Sequence, residues 1–183
     1  MTETEALIAL NQLPVAGPVK IRRLLENFGN AVNTLKESNS SLQRIQGIGP
    51  EAAKLITQWQ DYADPAAELQ LAKERNIKIL TQEDEDYPLA LRDAYDAPIV
   101  VYVWGDLQET DLHSVGIVGS RKLTHYGREA ARKFAFQLAS AGLTVISGLA
   151  RGIDTAAHEG AVGRLGHHVA HAVGAGQVLQ VGR

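Results

Sequence analysis

From Ser114 onward the chain alternates in a pattern that few architectures accept. An apolar run, a glycine-bearing loop and a helical stretch are followed by a second apolar run, a second glycine-bearing loop and a second helical stretch. "SVGIV" reads as a strand ending at Gly119-Ser120-Arg121. The helix beginning near Tyr126 then places Ala130, Phe134, Leu138 and Ala141 on one face and closes at Gly142. "LTVI" reads as the second strand, ending at Ser147-Gly148, and "GLARGID" opens a helix that Asp154 or Thr155 can cap. Strands alternating with helices are joined by right-handed crossovers and lie parallel, so the expected class is α/β with a parallel sheet. Both loops then stand at the carboxyl edge of that sheet, where ligand crevices open.

The residues of the two loops suit an anion. Gly119, Gly148 and Gly152 lack Cβ, so bare N–H groups can wrap one. Ser120 and Ser147 carry hydroxyl donors, and Arg121 can fork its N–H pairs onto phosphate oxygens. A dinucleotide fold wants G-x-G-x-x-G with an acid at the end of the second strand, and neither is present. A Walker A loop wants Gly-Lys-Ser/Thr, also missing. A nucleic-acid backbone or an unusual nucleotide remains.

Net charge is −3, which argues against a general polyanion binder, but the distribution is uneven. Between Gly119 and Arg151 the basic residues Arg121, Lys122, Arg128, Arg132, Lys133 and Arg151 face a single acid, Glu129. They can focus a positive field or simply solvate a helix face. The absence of cysteine removes disulfides and thiolate metal sites. No apolar stretch is long enough to span a bilayer, and the amphipathic acidic start is unlike a signal peptide, so a cytoplasmic protein without a membrane partner is expected.

The first sixty residues contain an internal repeat. "LQRIQGIGPEAAKLIT" fits the helix-hairpin-helix pattern hxxhxGhGxxxAxxhh at Leu42, Ile45, Gly47, Ile48, Gly49, Ala53 and Ile56 and misses at Thr57. "LNQLPVAGPVKIRRLL", 32 residues earlier, fits at Leu10, Leu13, Ala16, Gly17, Leu24 and Leu25, with Val15 for the first glycine and Ile21 for the alanine. Pro18 and Pro50 suit the first turn of each second helix. Such hairpins either meet a sugar-phosphate chain through helix N–H groups or serve only as packing corners. "DYADP", residues 61–65, marks the expected boundary between domains at 1–62 and 63–183. Beyond it "PAAELQLAKERN" reads as a helix with Ala66, Leu69 and Ala72 recurring, and "IKILT" and "IVVYVWG" read as strands around the polar turn "QEDEDYP".

"VGSRKLTHYG" followed by "VISGLARGIDTAAHEGA" resembles the DNA-processing protein A family (DprA, also called Smf). "YPLALRDAYDAPIVVYVWGDL" is similar to that family's lead-in, and the tandem hairpins resemble its SAM-like domain. The resemblance covers roughly residues 5–163. It implies an all-α SAM-like domain followed by an extended Rossmann-like domain. It also implies a non-enzymatic function without cofactor: binding single-stranded DNA during natural transformation, shielding it, and loading the recombinase RecA, as a homodimer. Carried over by motif, Gly119, Ser120 and Arg121 meet the DNA backbone, and Ser147, Gly148 and Gly152 line the second side of the pocket. Arg151 joins them on charge grounds. After Ala161 the family continues with a strand like "TIAVLG", a glycine turn and a Tyr-Pro segment, whereas this chain reads "GRLGHHVAHAVGAGQVLQVGR". A truncated or frame-shifted Rossmann-like domain is therefore expected, divergent from about residue 163, which sets dimerisation and RecA loading in question for this chain.

Other residues carry alternatives. Asp154 and His158, four apart, form either a general-base pair or a cap and a hydrogen-bonded histidine. His167 and His171 have a helical metal-ligand spacing with no acid or cysteine nearby, and no metal is expected. Tyr126 either stacks a base or packs at the helix start. A nucleotide-handling enzyme, phosphoribohydrolase-like, is the second functional reading; it requires a "PGGxGT" loop and a catalytic glutamate, and neither occurs. A hairpin DNA-binding module alone is the third.

Overall fold

A computed structural model gives the structure of residues 1–14, 17–162, 168–171 and 178–182, the last two stretches as backbone. Val15 and Ala16 of the first hairpin, and His167, lie outside the described residues. The chain divides into two compact units, Met1–Tyr102 and Val103–Arg183. The domain boundary proposed at residues 62–63 is a different partition, since residues 63–102 fall in the first unit by contact.

The first unit opens with α1 (Glu3–Gln12), capped by Thr2, whose side chain accepts from Glu5 N–H while Glu5 reaches back to Thr2 N–H. α2 (Pro18–Phe28) and α5 (Pro50–Thr57) each begin on the proline expected there, after Gly17 and Gly49. Between them lie the short α3 (Ala31–Thr34) and α4 (Asn39–Leu42). Ile8, Leu10, Ile21, Leu24, Leu42 and Ile56 are buried together in this unit, each contributing about 1.5–3 kcal/mol of apolar burial. α6 (Pro65–Glu74) starts on an Asp64 cap and buries Pro65 and Ala72, leaving Ala66 exposed. β1 (Ile77–Thr81) neighbours β2 (Val100–Trp104), with α7 (Leu89–Arg92) between them in sequence. Both strands match their sequence expectation. The acidic turn closes because Asp84 accepts from the Thr81 N–H at 2.6 Å and hydroxyl at 2.8 Å. Tyr87, 1% exposed, donates to the Pro98 carbonyl at 2.7 Å.

In the second unit β3 (Ser114–Gly116), α8 (His125–Ser140), β4 (Thr144–Ser147), α9 (Ile153–Val162) and β5 (His168–His171) follow the expected order. β3 pairs with β4, and β4 with β5, both parallel; β6 (Val178–Gly182) joins β5 antiparallel. The segment "HVAH", where the sequence puts His171 inside a would-be strand, is a strand parallel to β4. That strand also overturns the helical spacing assumed for His171.

The face of α8 that packs differs from expectation. Ala131 and Ala135 are buried and Leu138 and Ala139 partly so, around Val145, Ala157 and Ala161, while Phe134 is 62% exposed. The physical reason is at Gly160 of α9. A Cβ there would lie 2.3 Å from the Arg132 carbonyl oxygen, so the two helices touch backbone to backbone, a contact made by alanine and glycine and closed to phenylalanine.

Candidate nucleic-acid interface

The parallel register sets the two loops side by side. Ser114, Val115 and Gly116 face Thr144, Val145 and Ile146, and the Ile117 N–H donates to the Ile146 carbonyl at 2.9 Å, one residue past the end of β3. Both chains therefore leave the sheet together at its carboxyl edge. The Ser147 hydroxyl donates to the Ile117 carbonyl at 2.6 Å, and Ser147 is 2% exposed. Its hydroxyl ties the two strand ends together, a different use from the ligand donor expected.

Beyond that tie the loops pack on each other. A Cβ on Gly152 (φ +99) would lie 2.3 Å from the Ser120 carbonyl oxygen and 2.8 Å from the Arg121 Cα. A Cβ on Gly119 would lie 2.7 Å from the Ile153 side chain. The Ile153 N–H donates to the Ser120 carbonyl at 3.2 Å. Two of the expected glycines are thus required by the close approach of one loop to the other. Ser120 closes its own turn, donating to the Lys122 carbonyl at 2.7 Å and accepting from the Lys122 N–H at 3.1 Å. Arg121, Lys122 and Arg151 are exposed.

Two main-chain donors of the second loop are already in use. Asp154, 6% exposed, accepts through Oδ2 from the Gly148 N–H at 3.1 Å and the Ala150 N–H at 3.4 Å. Asp154, expected as a helix cap or as the partner of His158, reaches back into the loop. Ile153 is the residue that sequence reasoning missed, and its signal was only its place directly after "GLARG"; Asp154 was singled out, but not for this contact.

The first loop ends at Thr124, which caps α8 by accepting from the Gly127 N–H at 3.1 Å. A hollow of about 380 Å³ adjoins it, lined by Leu123, Thr124, His125, Arg128, Glu129 and Arg132. Tyr126 is 82% exposed and does not pack at the helix start. Arg132 lies 3.7 Å from the Glu159 carboxylate, both about half exposed, a pairing of little energetic weight. In the first unit, Gly47 (φ +90) sits in the turn before α5, where Arg23 of α2 donates to the Gln46 carbonyl at 3.1 Å. Among the described residues no three histidines, aspartates or glutamates gather as a metal-ligand set, and no helix is long and apolar enough to cross a membrane.

Comparison with known proteins gives a consistent result. The family model described as DNA recombination-mediator protein A matches residues 78–179, running past the divergence expected near residue 163. Protein Smf of Synechocystis sp. is 33% identical over 155 residues, covering 82% of this chain and 39% of that protein. DNA processing protein DprA of Streptococcus pneumoniae is 38% identical over 87 residues, 48% of this chain and 30% of that one. The X-ray structure of the Streptococcus pneumoniae DprA superposes with a TM-score of 0.64 at 24% identity, covering 98% of this chain and 67% of that one. The chain spans about two fifths of the length of the Synechocystis relative.

Proposed function

Because the chain belongs to the DNA recombination-mediator protein A family, we propose that it binds single-stranded DNA in natural transformation, protects the incoming strand and helps load the RecA recombinase, acting in the cytoplasm without catalysis. Arg121 is the principal contact to the sugar-phosphate chain, with Lys122 beside it and Arg151 from the neighbouring loop. A planar guanidinium takes two phosphate oxygens at once, which suits a backbone contact that ignores base identity. Gly119, Gly152 and Ser147 shape the seat, letting the loops lie against each other, and Gly148 and Ser120 hold the turns.

One observation supports the reading above the rest: the backbone of Ser120 and Arg121 rests directly on Gly152, so both glycine-rich loops act as one rigid surface carrying exposed cations. The exposed ring of Tyr126 beside it offers an unpaired base a face to stack on. The test is fluorescence anisotropy with a labelled oligothymidylate, its duplex form and free nucleotide as competitors. The proposal expects the single strand to bind more tightly than the duplex and Arg121→Ala to weaken it about tenfold, the loss of one charge-assisted contact. Equal binding by Arg121→Ala and wild type removes the loops from the DNA site.

A further inference from the structure

The loop between β4 and α9 carries an anion of its own. Leu149 (φ +55) and Gly152 (φ +99) turn the backbone through the left-handed region, and leucine does not hold that conformation unaided. In such a turn neighbouring N–H groups converge on one point and form an anion nest. Here the point is filled: Oδ2 of Asp154 takes the N–H groups of Gly148 and Ala150. The Thr155 hydroxyl donates to the Ala150 carbonyl at 2.9 Å, so the first turn of α9 grips the loop by its donors and by an acceptor. The loop shape thus fixed sets Gly152 against Ser120 and Arg121, and the Ile153 N–H then holds the Ser120 carbonyl.

We propose that Asp154 is a positioning residue of the interface, a built-in carboxylate that fills the nest in place of a phosphate and thereby fixes the backbone that presents Arg121. This rests on the reading that Arg121 seats a polynucleotide phosphate. It also deepens that reading. The Gly148 and Ala150 amides give nothing to the ligand, and a phosphate approaching the nest would meet a like charge. The strand therefore lies over the Ser120-Arg121-Lys122 side of the paired loops.

The test uses the full chain and a labelled oligothymidylate across a salt series, with Asp154→Ala, Asp154→Asn, Arg121→Ala and the double Arg121→Ala/Asp154→Ala. Asp154→Ala is expected to bind about tenfold more weakly, because it loses the same charge-assisted contact that Arg121→Ala removes. Its slope of log affinity against log salt falls by about one, as in Arg121→Ala. Asp154→Asn, which keeps an acceptor oxygen but makes weaker, uncharged hydrogen bonds to the two amides, loses less, roughly threefold. The double variant binds no more weakly than Arg121→Ala alone, because both changes remove the same contact. Sodium formate, but not chloride at equal ionic strength, restores binding to Asp154→Ala by supplying a carboxylate to the emptied nest. Wild-type affinity and slope in Asp154→Ala, or a loss that adds fully to that of Arg121→Ala with the slope unchanged, overturns the proposal. Should Asp154→Ala not fold, Thr155→Val removes the other brace: a small loss that disappears on the Arg121→Ala background supports the proposal, and one that persists overturns it. If Arg121→Ala itself binds as wild type, the phosphate reading fails, a result separate from any effect at Asp154.

Discussion

Three glycines of the second unit separate two physical effects that a glycine-to-alanine change usually mixes. Gly142 has φ +83 and nothing within 4 Å of an added Cβ. Gly160 lies inside α9, where its added Cβ would meet the Arg132 carbonyl oxygen at 2.3 Å. Gly152 combines both, with φ +99 and contacts at 2.3 Å to the Ser120 oxygen and 2.8 Å to the Arg121 Cα and oxygen. Gly142→Ala should cost about 1 kcal/mol, the left-handed penalty alone. For Gly160→Ala, overpacking of about 2–3 kcal/mol is offset by about 1 kcal/mol of helix propensity, leaving about 1–2 kcal/mol. Gly152→Ala should lose the sum, about 3–4 kcal/mol, because the atoms it meets are backbone and cannot rotate away. Urea denaturation followed by circular dichroism measures all three, with the midpoint shift read at constant m-value. A Gly152→Ala loss no larger than that of Gly142→Ala would refute the close packing of the two loops, and with it the single surface on which the functional proposal stands.

Other outcomes follow from the same structure. Burial pushes the Tyr102 phenol well above its ordinary value of 10.0, and Glu68 adds to this by its charge and its hydrogen bond; the unfolded chain ionises first, so stability present below about pH 10 is lost as pH rises beyond it. Tyr102→Phe should flatten that alkaline decline in urea midpoints taken between neutral and high pH. Ser147→Ala removes the tie to the Ile117 carbonyl at 2.6 Å and should lower stability by about 1 kcal/mol, the loss of one part-buried hydrogen bond. Phe134→Gln should leave stability within about 0.5 kcal/mol, since the ring is exposed; a loss of several kcal/mol by thermal melting would place that ring in the core after all.

Much of the architecture was legible because it rests on local alternation. "IKILT" became β1 without a change of boundary, and the prolines at 18 and 50 opened α2 and α5. The packing face of α8 was not legible. Hydrophobic periodicity weights a phenylalanine above an alanine, whereas the actual contact selects for small size, and the deciding residue, Gly160, lies on the opposite helix. The segment "HVAHAV" reads in sequence as a would-be strand with His171 inside it, and the strand forms at 168–171 despite two histidines because its pairing comes from β4 beside it, a tertiary preference that overrides local pattern. At the site, residue types named the loops, yet they could not say that Ser147 would point its hydroxyl at Ile117 or that Asp154 would claim the amides of Gly148 and Ala150. Both are back-reaching contacts set by where two loops meet, and sequence spacing holds no record of that meeting.

Amide hydrogen exchange of the full chain, with and without a saturating oligothymidylate, tests most directly where a strand lies. The account predicts slowed exchange in residues 117–124 and 149–153, with the segment around Gly47 and Gly49 unchanged. Protection confined to the hairpin turn before α5, with the paired loops exchanging as in the free protein, would contradict it.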